Sequence, residues 1–240
     1  YEWSKIEDEL AIDHTVYTVD LLGCGRSDKS SITYTNFVYV QMISDFIKKI
    51  IGQKTDVIAS GFSGSFVTMA CHNEKELFNK IMLVNPPSLT QLKQMPNRKD
   101  RLLKAALEIP IFGTLVYHMI VSRDNINNLF IEKMYYNPFH VDNQMADAYY
   151  EAAHKGGYYT RFLYSSLAAK YININICHAL KALDNSIYIV EGETEPNGKA
   201  VTNDYCASNP AIEVSVLKET KHLPHVEAPE AFLEQVKIFF

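Results

Sequence analysis

Apolar residues recur at Phe37, Val40, Ile43, Ile47, Ile50 and Ile51, the spacing of one helical face, between Thr35 as a candidate N-cap and Gly52 as a stop. The spacing predicts an amphipathic helix. The β-branched and aromatic run 15–20 reads as a strand leading into a loop with Gly23 and Gly25. Short apolar runs at 56–60 and 81–85 predict two more strands, with a helix over 65–72 between them and Pro86 and Pro87 closing the second. Strands alternating with helices need crossover connections, which makes the sheet parallel, with helices on both faces.

After Pro87 the pattern turns helical, with predicted helices over 102–107, 112–121, 125–136 and 142–154 and aromatics concentrated from Phe130 to Phe139. A strand at 187–190, another at 212–217 and an amphipathic helix over 229–240 resume the first pattern. The expected architecture is α/β, a core of 1–87 and 185–240 interrupted by a helical cap of 88–184. Small helical cores hold their own aromatics, so the cluster reads first as cap packing and second as a ligand lining.

The 240 residues carry a formal charge of -5 with 21% charged residues, and no broad basic face that would suit nucleic acid. No apolar run reaches the roughly 18 residues needed to span a bilayer. The four cysteines, Cys24, Cys71, Cys177 and Cys206, lack metal or redox spacing, so mostly buried, reduced thiols and a cytoplasmic location are expected.

Three motifs carry a family resemblance. Asp20-Leu21-Leu22-Gly23-Cys24-Gly25-Arg26-Ser27 is similar to the D-x-x-G-x-G-x-S loop of the α/β-hydrolase family, in the capped branch of epoxide hydrolases, haloalkane dehalogenases and carboxylesterases. A dinucleotide fingerprint would need glycine where Asp28 stands. Lys221-His222-Leu223-Pro224-His225 resembles the segment of the catalytic histidine, which implies His222 as general base, whereas His225, like the chain's other histidines, reads as structural or solvent-facing. No third ligand accompanies these histidines, so no metal is expected. Gly192-Glu193-Thr194-Glu195-Pro196 resembles the family's G-x-x-D-P and implies Glu195 as the acid that orients His222; the competing reading is a solvated acidic loop that also holds Glu191 and Glu193.

The nucleophile has two registers. Read literally, Gly61-Phe62-Ser63-Gly64-Ser65 resembles the G-x-S-x-G elbow and makes Ser63 the nucleophile. Counting without a gap from the strand at 56–60, or backward from Val84-Asn85-Pro86, places Gly61 there instead. The turn from Ala59 to Ser65 holds no aspartate for epoxide or halide chemistry. Tyr1-Glu2-Trp3-Ser4-Lys5 resembles the family's first helix, which implies that a loop donating one oxyanion-hole amide and the earliest strands precede this chain in its parent.

Two functions follow. In one, a serine hydrolase acts on a small apolar ester through Ser63, His222 and Glu195, with amides near Phe62 and Gly64 holding the oxyanion. Tyr117, Phe130, Tyr135, Tyr136 and Phe139 would line its substrate site under the cap, and no cofactor is needed. In the other, Gly61 leaves the nucleophile position empty and the protein binds a small apolar ligand.

Overall fold

A computed structural model describes residues 2–240. Four strands, β1 (Thr55–Ser60), β2 (Phe78–Val84), β3 (Ile187–Gly192) and β4 (Glu213–Leu217), form one parallel sheet in the order β1-β2-β3-β4. Ser60, Val84, Val190 and Ser215 fall in register across it, so the loops after all four strands open on one edge. Open parallel sheets place their sites on that edge.

Side chains alternate across a strand, and here both faces are covered. Ile81, Leu83, Ile187 and Ile189 pack into a core closed by the helices Asn36–Phe46, Ser63–Asn73 and Cys177–Ala182. Met82, Val84, Tyr188 and Val190 point the other way, against Phe232 and Val236 of the helix Pro229–Phe239 and against Ile6. The predicted amphipathic helix occupies Asn36–Phe46 and tightens into a π-helix, Ile47–Ile51, before Gly52 ends it with φ 73°.

The expected strand over 15–20 is instead irregular. Tyr17 and Val19 are largely exposed, and no described strand lies alongside to complete a ladder. A β-branched run states a preference, whereas a strand needs a partner. The helix expected near Tyr1 begins at Glu7, and Tyr1 itself lies outside the described residues. Asp20 does organise the loop that follows: its Oδ2 accepts from the Arg26 amide at 2.8 Å and its carbonyl from Ser27 Oγ at 2.6 Å.

Between β2 and β3 the chain is helical. Ile126, Phe130, Tyr135, Met145 and Ala146 build a separate small core, completed by Leu223 and Val226 from the segment after β4. Leu89 and Leu92 at its start and Ile172 to Leu183 at its end pack instead into the main core. Three helices without a clear sequence signal appear at Arg161–Ala168, Cys177–Ala182 and Gly198–Ser208. The cysteines are all unpaired; Cys71 is buried, but Cys24 is exposed, contrary to the expectation of mostly buried thiols.

Candidate functional site

The site is assembled from the four loops at the C-terminal edge of the sheet. After β4 the chain turns back to place His222 half-buried, its amide donating to the Met134 carbonyl at 3.1 Å. His222 Nδ1 lies 3.1 Å from Glu195 Oε1. The Glu195 contact raises the imidazole above its ordinary range, against the opposing effect of burial, with a further contribution from Glu2. The two residues predicted as base and acid are therefore in contact. Glu191, read in the sequence as part of a solvated acidic loop, is buried at the end of β3, and burial raises its carboxyl; Glu193 is exposed.

Two local features hold that pair in place. Gly192 lies so close to the Lys221 carbonyl that a Cβ there would sit 1.9 Å from the oxygen, so only glycine lets the acid loop and the histidine loop approach. Buried Asn85, at φ 42°, donates through Nδ2 to the carbonyls of Lys221 (2.8 Å) and His222 (2.9 Å), while its Oδ1 accepts from the Gly192 amide (3.0 Å). One side chain thus fastens the ends of β2 and β3 to the histidine loop. Its sequence signal was the strand-terminating Asn-Pro, which gave a landmark and no role.

At the elbow, β1 ends at Ser60 and the helix begins at Ser63, with Phe62 as N-cap. The corner residue is Gly61, at φ 56°, its amide bonded to the Val84 carbonyl at 2.9 Å. A Cβ built on Gly61 meets nothing within 4 Å. Ser63 lies inside the first helical turn, and its Oγ donates to the Ser60 carbonyl at 2.6 Å. No contact between Ser63 and His222 is present among the described residues. The helix leaves the amides of Phe62 and Ser63 as its unsatisfied N-terminal donors, whereas the Gly64 amide bonds the Gly61 carbonyl at 3.2 Å.

Glu2, like Asn85, was missed by sequence reasoning. Its carboxylate lies 3.1 Å from Nε2 of the fully buried His225 and accepts from Tyr149 Oη at 3.3 Å. Burial would raise this carboxyl, but His225, Ser60 and Tyr149 outweigh it and hold it below the ordinary range. Trp3 stacks on the His225 ring at 4.4 Å. Glu2 touches both the end of β1 and the helix carrying Tyr149, and its charge reaches His222. Nothing in the local sequence marks it, because the contact partners are distant in the chain.

Of the predicted aromatic lining, Phe130 and Tyr135 are buried beside Leu223 and Val226, next to the histidine loop; burial pushes the Tyr135 phenol up to about 12. Tyr117 is buried elsewhere, donating to the Ala153 carbonyl at 2.8 Å and packing on Tyr164. Tyr136 is half exposed and Phe139 projects into solvent. Among the described residues no three His, Cys, Asp or Glu side chains converge as a metal site.

The parallel sheet flanked by helices matches the fold that the comparisons find. The sequence profile of the alpha/beta hydrolase family matches residues 1–235, and the chain belongs to that family. No curated protein sequence matches it. Among solved structures, an epoxide hydrolase, CorEH, superposes with a TM-score of 0.79 at 15% identity, covering 100% of this chain and 86% of that one. A bromoperoxidase from Bacillus anthracis gives 0.78 at 12% identity, covering 99% and 86%. A 2-hydroxy-6-oxo-6-phenylhexa-2,4-dienoate hydrolase from Rhodococcus sp. strain RHA1 gives 0.77 at 17%, covering 100% and 84%. At these identities the likeness is one of fold, and a fold does not fix a reaction.

Proposed function

We propose that this α/β-hydrolase has no covalent nucleophile at its elbow and binds a small, largely apolar ligand at the C-terminal edge of the sheet, beneath the helical cap. The observation that carries the reading is Gly61: the residue at the strand-to-helix corner has the positive φ of an elbow and open space where a side chain would project. Glycine has nothing to attack with. Ser63, two residues on, has its hydroxyl proton engaged by the Ser60 carbonyl. Neither residue is arranged as an activated nucleophile, which needs its proton within reach of the base.

What remains is a polar grip in an apolar setting. His222, raised by Glu195, carries its proton to a higher pH than a free imidazole and donates it to a ligand oxygen. The Phe62 and Ser63 amides at the start of the helix supply further donors, and Phe130 and Tyr135 stand on the cap side.

The test is labelling of the full chain with a fluorophosphonate probe, followed by peptide mapping. The wild type is expected to remain unlabelled. Gly61→Ser is expected to become labelled at residue 61, and to lose that labelling when His222→Ala is added. The left-handed backbone costs serine about 1–2 kcal/mol, so a melting curve accompanies each variant. Labelling of the wild type at Ser63, abolished by Ser63→Ala, would overturn the proposal and establish Ser63 as an activated serine; the Gly64 amide expected at the oxyanion is bonded to the Gly61 carbonyl.

A further inference from the structure

The helices Arg98–Glu108 and Pro110–Ile120 meet at a bend of 96° and turn an unusual face outward. Leu102, Ile109, Ile111, Phe112, Leu115 and Met119 each expose between 51% and 78% of their surface. At 100° per residue, Arg98, Leu102 and Ala105 lie on the outer side of the first helix, opposite the inward Lys104 and Leu107, and exposed Ile109 caps its end. Ile111, Leu115 and Met119 form the outer ridge of the second helix, opposite Gly113 and Tyr117. Large side chains left exposed this densely mark an interaction surface.

The charge around this face identifies the partner. Residues 93–123 contain six basic residues against two acidic ones, a local surplus of four in a chain whose net charge is -5. Lys93, Arg98, Lys99 and Arg101 are exposed, and none is in a described ion pair. Both acids are already engaged: Asp100 accepts from the Asn97 amide and Lys170, and Glu108 from Lys104 and Ser165. No single described helix is long and apolar enough to cross a bilayer, and the bend prevents the pair from crossing as one rod. An apolar ridge with a basic flank is instead the composition of a helix lying in the headgroup region, its side chains reaching roughly 5–10 Å inward.

We propose that the outer face of these two helices docks the protein on a bilayer surface bearing anionic lipid headgroups. Ile111, Phe112, Leu115 and Met119 enter the acyl boundary, and Arg98, Lys99 and Arg101 meet the headgroups. A second copy of the chain is a poorer occupant, because a two-fold interface would set one basic flank against the other.

Flotation of the full chain with vesicles of phosphatidylcholine, with and without phosphatidylglycerol, tests this. Binding is expected to rise with phosphatidylglycerol and fall with added salt. Ile111→Glu with Leu115→Glu is expected to weaken binding to both vesicles at least about tenfold, given the apolar area lost from the lipid. Arg98→Gln with Lys99→Gln and Arg101→Gln should weaken binding to the anionic vesicles by about tenfold or more while leaving phosphatidylcholine binding unchanged. All five positions are exposed, and circular dichroism checks that each variant folds. The proposal is overturned if the wild type binds no vesicle, if neither variant changes binding, or if light scattering finds a dimer that the Ile111 and Leu115 changes dissolve without any lipid binding.

Discussion

His222 carries a proton equilibrium that reports directly on its surroundings. Its raised value comes first from Glu195, with burial opposing. A folded-state pKa above the unfolded one means the native state holds the proton more tightly, so the pair's contribution to stability is full below the unfolded value of about 6.5 and is lost as pH rises through the folded value. Glu195→Gln, which keeps the shape and removes the charge, should therefore lower the melting temperature more at about pH 6 than at about pH 9. Equal losses at both values would remove Glu195 as the cause of the shift. His222 and Glu195 were legible because each follows a strand end inside a motif of recognisable spacing. Glu2 and Asn85 were not, since their meaning lies in contacts with His225, Tyr149, Lys221 and Gly192 that no neighbouring residue announces.

At the scale of elements, the sequence is most readable where burial is one-sided or periodic. The helix Asn36–Phe46 shows its period plainly, whereas Gly198–Ser208 mixes small and polar residues and Cys177–Ala182 is too short to display one. The run 15–20 was misread because strand propensity says nothing about the availability of a partner. Central strands read as apolar runs because both faces are covered, and this distinguishes β2 from the outer strand β4. Leu83 is fully buried between Gly64 and the main core, so Leu83→Ala should cost about 2–5 kcal/mol in denaturant unfolding. Val216, in β4 and half exposed, should cost under about 1 kcal/mol when changed to alanine. Similar losses at the two positions would contradict the covering of both sheet faces at β2.

Across the whole molecule, the histidine loop is the joint between the two cores. Leu223 and Val226 complete the small helical core, while the His222 amide is held by Met134. Glu227 binds both sides at once: Oε1 accepts from the Tyr136 amide at 2.6 Å and Oε2 from the Lys221 amide at 2.7 Å. A histidine so attached must follow any movement of the helices between β2 and β3, and such a movement would change the geometry of the His222–Glu195 pair. Glu227→Gln replaces an acceptor with a donor that faces one of those two amides. Loss of one charge-assisted bond of roughly 1.5–3 kcal/mol predicts hydrogen exchange about tenfold faster or more at Tyr136 or Lys221, whichever amide the new donor faces. The amides of β2 and β3, which open only with the main core, should keep their protection. Faster exchange spread evenly through β2 and β3 would mean that the two cores open as one unit, and that the histidine loop is no joint at all.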